Sequence, residues 1–400
     1  SSLLYTLSVL AFRASWKECS WFAMNQCIVV AMTFFFSSLS MAVPVCNRDT
    51  TKWQWFFVLS IISNGCSIWY LRHIRVMYAQ GLVGGASSPD EIPKIVNDYH
   101  QCLQNKVVLI TGANSGIGKE TAQQLLQYGA STVILACRNK QRAEEAMQDI
   151  IRRQKSEDKE DYKERLRFLP LDLSDLQSVR AAAKIFLEWN LPLDILINNA
   201  GIMMGSFHLT KEGNEFTMTS NHLGHFLLTL LLMPALTASS TTPARIINVT
   251  SSTYTLAPYM DMDDLFCTKG LRQYTLFGQY AQSKLANILF TLELAKRYPD
   301  IIRSYAVHPG LVRTNVVQNL PWYLYYPNQI FGFLLQTLQK TAPAGAYTSV
   351  HCAASTALGE ERGLYYSNCK VCDTTKAAKD SDAAKKLWEL SETLVNITKQ

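Results

Sequence analysis

Val107-Val108-Leu109-Ile110-Thr111-Gly112-Ala113-Asn114-Ser115-Gly116-Ile117-Gly118 is the stretch that decides the fold. Its first four residues are apolar and mostly β-branched, the pattern of a strand buried on both faces. Glycines follow at once. Lys119 to Tyr128 then carries apolar residues at helical spacing and stops at Gly129. Strand, glycine turn and helix together aim backbone N–H groups and a helix N-terminus at a phosphate. The spacing is G-x-x-x-G-x-G, not the commoner G-x-G-x-x-G. Taken alone, these residues fit two readings: a phosphate-binding turn, or a tight turn whose glycines serve packing.

Outward from this stretch the chain repeats its rhythm. Strand patterns fall at Val107–Ile110, Thr132–Ala136, Arg167–Leu169, Ile195–Ile197, Arg245–Val249, Arg303–Val307 and Gly363–Tyr366, with amphipathic helical patterns between them. This predicts an α/β fold with a doubly wound parallel sheet and right-handed crossovers. The chain has 400 residues, enough for one large α/β domain of about 250–300 residues and an appendage. The net charge of +6 is spread thinly, with no basic run that would point to nucleic acid. Ten cysteines show no disulfide-framework spacing. Cys369-x-x-Cys372 reads as a surface turn rather than half of a zinc site, since only His351 and Cys352 stand near in sequence as further ligands. No metal is expected.

The first fifth of the chain is much more apolar. No charge occurs from Cys19 to Asn47 or from Trp53 to Leu71. These runs are long enough to span a bilayer as helices, with candidate spans at 21–45 and 53–71, and Trp21, Trp53, Trp55, Trp69 and Tyr70 lie near their ends. A pair of buried core helices is the competing reading. The loop Arg48–Lys52 makes the runs a transmembrane helical hairpin, and Arg13, Lys17, Arg72, His73 and Arg75 then place both flanks in the cytosol. A further upstream span would reverse that orientation. Residues 1–78 are thus expected to anchor the protein in a membrane. Residues 79–103, rich in Gly, Ser and Pro, read as a linker, and 104–395 as the α/β domain.

Strand two runs into Cys137-Arg138-Asn139 about 20 residues after the glycine turn. A carboxylate there would take the ribose 2′-OH of NAD, whereas an arginine accommodates the 2′-phosphate of NADP. The position has no acid and Arg138 follows it, so NADP(H) is the expected cofactor. Asp172 and Leu173 follow the third strand, where a carboxylate can accept from an adenine amino group. Asn199-Ala200-Gly201 follows the fourth, where small residues permit close approach to a ligand. Each of these also has the composition of an ordinary turn.

Tyr280 and Lys284 share one face of a helical pattern. An ammonium beside the phenol, together with the positive nicotinamide of an oxidised cofactor, would favour the phenolate. Such a tyrosine can exchange a proton with an alcohol or carbonyl while hydride moves. By itself a Y-x-x-x-K spacing is common and fits an ordinary helix surface.

Thr111 to Gly118, Asn198 to Gly201, Asn221, Ser251 and Tyr280-x-x-x-Lys284 stand in the order and approximate positions found in the short-chain dehydrogenase/reductase family. The resemblance covers about Gln104 to Leu394. Ala136-Cys137-Arg138-Asn139, Asn221-His222-Leu223-Gly224-His225-Phe226 and His308-Pro309-Gly310 look like retinol dehydrogenases. The tail from Gly363 to Cys369, with Leu387 to Glu392, resembles the reductase half of the WW-domain oxidoreductase, without its WW domains. The resemblance implies a Rossmann-type sheet and a catalytic set. Tyr280 would be the acid/base, Lys284 would lower its pKa and hold the nicotinamide ribose, Ser251 would bind the substrate oxygen, and Asn221 would anchor a relay water. Ser252 is the alternative serine. The glycine turn (Gly112, Asn114, Ser115, Gly116, Ile117, Gly118) would hold the cofactor with Arg138, Asn139, Asp172, Leu173, Asn199, Ala200 and Gly201. Pro309, Gly310 and Thr314 would border the nicotinamide and its phosphates.

From Leu320 to Leu334 the chain is strongly aromatic and apolar, and by analogy it is a substrate lid suited to a lipid alcohol or aldehyde. It could equally pack internally, rest on the bilayer or form the face of a homodimer. The expected protein is an oxidoreductase that uses NADP(H) on a retinoid-like, steroid or polyprenoid alcohol or carbonyl. Its expected location is a membrane, the endoplasmic reticulum, with the catalytic domain in the cytosol. The competing reading is a cofactor-binding scaffold that regulates partners without turnover.

Overall fold

The structure, a computed structural model, describes residues 102–154, 159–239, 243–269, 274–312 and 340–397. The candidate spans 21–45 and 53–71, the linker up to residue 101, Thr314 and the aromatic stretch 320–334 lie outside the described residues.

Seven parallel strands form one sheet: β1 (Val107–Thr111), β2 (Thr132–Cys137), β3 (Leu166–Pro170), β4 (Ile195–Asn198), β5 (Ala244–Val249), β6 (Ile302–His308) and β7 (Leu364–Ser367). A short antiparallel β8 (Lys370–Val371) closes the edge, giving the order β3-β2-β1-β4-β5-β6-β7-β8. The expected doubly wound sheet is therefore present, and each strand pattern in the sequence falls on a strand. Every residue of β1 is buried, as a central strand covered by helices on both faces requires. Each fully buried Leu or Ile there contributes roughly 1.5–3 kcal/mol of apolar transfer free energy.

The sequence pattern gave no sign of β8, which has two residues, both exposed. It is joined to β7 by a two-residue turn in which Asn368 and Cys369 have φ of 50° and 59°. Positive φ at both central residues is the hairpin turn that matches strand twist. The Cys369–Cys372 spacing thus falls on a hairpin, with Cys369 a buried residue of its turn. Among the described residues no group of three His, Cys, Asp or Glu side chains is placed to hold a metal, and no helix is long and apolar enough to cross a membrane.

The helices that position the site are α1 (Gly116–Gln127), α2 (Lys140–Arg152), α3 (Gly224–Leu231), α4 (Leu276–Arg297), α5 (Ala342–Ala354) and α6 (Ser381–Leu394). Thr275 caps α4 by accepting from the Gly278 N–H at 3.0 Å. Its inner face, including Ala281, Leu285 and Leu289, is buried against the sheet. Arg297 lies 4.6 Å from the ring centroid of Trp388, and Trp388 packs edge-on to Phe226 at 5.0 Å. These contacts lock α6 and α4 around α3. Asn248, part of an Asn-x-Thr glycosylation pattern, is buried in β5 and hydrogen-bonded to Asn198 and Thr291.

Candidate active site

Strand order reverses between β1 and β4, and the cleft opens there at the carboxyl ends of the strands. It has a volume of about 550 Å³. Every cofactor-side residue expected from the sequence and described by the structure lines it: the glycine turn, Arg138, Asn139, Asp172, Leu173, Asn199 to Gly201, Pro309 and Gly310.

The floor is built from close backbone contacts. Gly112 has φ +66°, and a Cβ there would lie 2.9 Å from the Ala200 Cβ. A Cβ on Gly118 would lie 2.5 Å from Asn199 Nδ2 and 2.7 Å from the Gly112 carbonyl oxygen. Helix α1 therefore begins three residues before the apolar pattern that marks it in sequence. Its N-cap, Ser115, makes no side-chain capping bond, and its first turn carries no acid. The first N–H groups of α1 are left for a ligand, and the helix dipole favours an anion there. Thr111 ties this floor to β4, its hydroxyl accepting from the N–H groups of Asn199 and Ala200 at 3.0 and 2.9 Å. These features fit a dinucleotide: a cradle that side chains would fill and an uncapped helix end facing it.

At the end of the cleft beside β2 and β3, Asn139 caps α2 by accepting from Arg142 N–H at 2.9 Å. Arg138 is 70% exposed and 3.7 Å from an Asp172 oxygen. The other Asp172 oxygen accepts from the Ser174 N–H and hydroxyl. Arg142 also lines the cleft. The sequence reading missed it, although its signal was present: a second arginine one helical turn beyond Arg138.

At the opposite end stand Tyr280, Lys284 and Ser251, all lining the cleft. The Ser251 hydroxyl hydrogen-bonds the Tyr280 phenol. Ser252 gives its backbone N–H to His308 Nδ1 at 3.2 Å, and of the two serines it is Ser251 that lines the cleft with Tyr280. Burial pushes the Tyr280 phenol up to about 12, opposed by the Ser251 hydrogen bond. Burial also holds Lys284 down to about 8. Burial here outweighs the lowering that the sequence reading expects from Lys284. The ammonium is turned to the Val249 carbonyl at 3.0 Å and lies 5.6 Å from the Tyr280 ring centroid, so desolvation dominates both groups.

Asn221 lies beneath the cleft, fully buried in a turn of π-helix, Thr219–Leu223, where Gly224 N–H donates to Thr219 O five residues back. Such turns recur at functional sites. Its side chain is fully engaged: Oδ1 accepts from Ile202 N–H at 2.8 Å, while Nδ2 donates to Ile202 O and to Ser283 Oγ. Ser283 in turn donates to the Tyr280 carbonyl at 2.8 Å. Asn221 thereby braces the helix that carries Tyr280 and Lys284. Its own backbone carbonyl accepts from His225 Nδ1 at 3.0 Å. Because a carbonyl only accepts, Nδ1 carries the proton, and His225 Nε2 accepts from the Thr111 hydroxyl at 2.8 Å. Burial holds His222 and His225 neutral, down to about 3 and about 4, so these histidines are core hydrogen-bonding groups.

Comparison with known proteins agrees with this geometry. The short chain dehydrogenase family matches residues 106–262. Retinol dehydrogenase 12 of Homo sapiens is 41% identical over 303 residues, covering 74% of this chain and 88% of that protein. The WW domain-containing oxidoreductase of Gallus gallus is 38% identical over 299 residues, covering 73% of this chain and 69% of that protein. A solved protein of Mycobacterium paratuberculosis is 31% identical, with a TM-score of 0.57, covering 75% of this chain and 97% of that one. A short chain dehydrogenase of Shigella flexneri, solved with NADP, shares the fold at 22% identity and a TM-score of 0.50, covering 68% of this chain and 100% of that one.

Proposed function

The chain belongs to the short chain dehydrogenase family, and from that premise we propose that it is an NADP(H)-dependent oxidoreductase interconverting a hydrophobic alcohol and its carbonyl. One observation carries the reading. The Tyr280 phenol, hydrogen-bonded to Ser251 and backed by the buried Lys284, faces the same cleft as the glycine floor and the uncapped α1 N-terminus. A scaffold without turnover has no chemical need of that set.

When bound, the nicotinamide supplies or accepts the hydride. The remaining work falls to the chain. In the reducing direction Tyr280 gives its proton to the substrate oxygen as negative charge develops there, and Ser251 donates to the same oxygen. A phenol held high by burial keeps its proton at neutral pH, the correct form for that step. The positive charge of Lys284 stabilises the phenolate that results. The side-chain amide of Asn221 is engaged and its backbone carbonyl already accepts from His225, so a relay water at Asn221 would share that carbonyl with His225.

Arg138 and Arg142 at the adenosine end favour the 2′-phosphate, which supports NADP(H) over NAD(H). Met203, Phe216, Phe277 and Leu311 make the substrate end apolar, which supports a lipid-like substrate. Kinship with retinol dehydrogenases puts retinoid-like substrates first, ahead of steroids and polyprenoids. The charge-free runs at 21–45 and 53–71 support membrane anchoring, in the endoplasmic reticulum, with the α/β domain in the cytosol. Protease added to intact microsomes should then digest that domain, and protection would reverse the orientation. For the activity, purified protein is given NADPH and a panel of hydrophobic aldehydes. Aldehyde-dependent loss of NADPH with formation of the primary alcohol is expected. No turnover of any aldehyde would return the protein to the scaffold reading.

A further inference from the structure

Lys340 is a buried cation that the proposed chemistry leaves unused. It is 3% exposed. Its backbone N–H donates to the Leu311 carbonyl at 2.7 Å, and it bridges to Val312, which fixes it beside the chain leaving β6. Its ammonium reaches the side-chain oxygen of Asn368 in the β7–β8 turn. Among the described residues no carboxylate pairs with it, and the stretch that precedes it, 313–339, contains no Asp or Glu. Its charged neighbours do not compensate it. Burial keeps the Cys369 thiol protonated, up to about 11, and keeps His308 neutral, down to about 3. A buried ammonium without a counter-charge is strongly disfavoured. Where such a group persists, a function is the usual reason.

Its position supplies one. Lys340 packs against Gly310, which lines the cleft. A Cβ on Gly310 would lie 2.8 Å from both Lys340 Cδ and Cε and 3.0 Å from Nζ, so the side chain runs along the back of that residue. Gly310 also has φ +88°, which a residue with a Cβ would resist. Two residues on, Val312 and Ile117 of the first turn of α1 both close on Gly345; a Cβ there would meet them at 2.6 and 3.3 Å. The wall in front of Lys340 therefore stands beside the uncapped N-terminus of α1. The second buried ammonium, Lys284, stands across the cleft behind Gly201, 3.2 Å from where a Cβ would be.

We propose that Lys340 is a cofactor-binding residue whose charge, acting through the bare backbone of Gly310, holds the diphosphate of the dinucleotide. This rests on the NADP(H) reading above. The charge acts across a low-dielectric wall, where a cation is felt more strongly than on a wet surface.

The test is equilibrium binding, followed by protein and NADPH fluorescence, of wild type, Lys340→Met and Asn368→Asp. Two ligands are used: NADPH, and adenosine 2′-monophosphate, which lacks the diphosphate. Lys340→Met removes the charge and keeps the stem; Asn368→Asp keeps the ammonium and sets a carboxylate against it. Both variants should bind NADPH about tenfold more weakly than wild type and adenosine 2′-monophosphate equally well. If Lys340→Met does not fold, Asn368→Asp alone decides. Unchanged NADPH affinity in a folded variant overturns the proposal and leaves the NADP(H) reading standing. Equal losses for both ligands mark a structural role and also overturn it. A wild-type protein that does not bind NADPH overturns the reading and the proposal together.

Discussion

The ammonium of Lys284 lies 5.6 Å from the centroid of the Tyr280 ring and gives its hydrogen bond to the Val249 carbonyl, not to the phenol. It is a buried charge whose desolvation costs stability. With its pKa down to about 8, the folded protein releases this proton before the unfolded chain does. Between about 8 and the ordinary lysine value near 10.4, the unfolded state binds more protons, so stability rises with pH across that window. Below it the cost is constant. Lys284→Met should therefore be more stable than wild type at pH 7 by about 2 kcal/mol, after allowing for the lost hydrogen bond. The gain should fade by about pH 10.4, while activity falls a hundredfold or more. Denaturant unfolding at several pH values checks this, and a less stable Lys284→Met at pH 7 would contradict it.

Gly118 makes the closest contact in the floor. Gly118→Ala sets a Cβ against Asn199 and against the Gly112 carbonyl, which is backbone and cannot swing away. A loss of about 2–3 kcal/mol in stability is expected, with NADPH binding weakened as the floor shifts. Gly213→Ala is the control. That residue has φ +80° but open space around it, so the change should cost about 1 kcal/mol and leave NADPH binding intact.

Arg138 is 70% exposed, and its contact with Asp172 contributes little to the fold. Arg138→Asp should leave the melting temperature within a degree or two and swing the preference from NADPH toward NADH roughly 30-fold. Steady-state kinetics with both cofactors reads this directly. Unchanged NADPH affinity would remove Arg138 from the 2′-phosphate site.

Acid should unfold the domain through its buried histidines. Burial holds His222, His225 and His308 down to about 3, 4 and 3. In the unfolded chain each takes a proton near pH 6.5, so stability is fully present above that pH and is lost as pH falls toward 3. Each contributes on the order of 3 kcal/mol to that loss. His222, whose Nε2 lies 2.9 Å from Ser391 Oγ, is the test position. His222→Gln should flatten the fall in stability between pH 6.5 and 5; an unaltered slope would contradict the account.

The sheet was legible because its strands are short apolar runs between clear helical patterns. β8 was not, because two exposed residues, one of them charged, are too short to carry a strand pattern. Most of the cleft was legible as well, since glycines and the Tyr280–Lys284 spacing survive as pattern. What escaped depended on the third dimension. Nothing in sequence tells which way an ammonium turns, so Lys284 facing Val249 rather than Tyr280 could not be read. Lys340 lies far from the glycine turn along the chain, and only the strand order brings it behind Gly310. The hydrogen bonds that hold His222 and His225 in the core run to Ser391 and Thr111, which are distant in sequence, so those partners could not be read from the chain.

On the proposed function, Tyr280 moves the proton in a reaction of hydrophobic carbonyls. The direct measurement is NADPH consumption with retinoid-like and other lipid aldehydes by wild type and Tyr280→Phe, with NADPH binding measured on both. Wild type should turn over at least one aldehyde, and Tyr280→Phe should bind NADPH equally well but react at least a hundredfold more slowly. Equal rates for the two proteins, or no turnover by wild type of any aldehyde, would contradict the account.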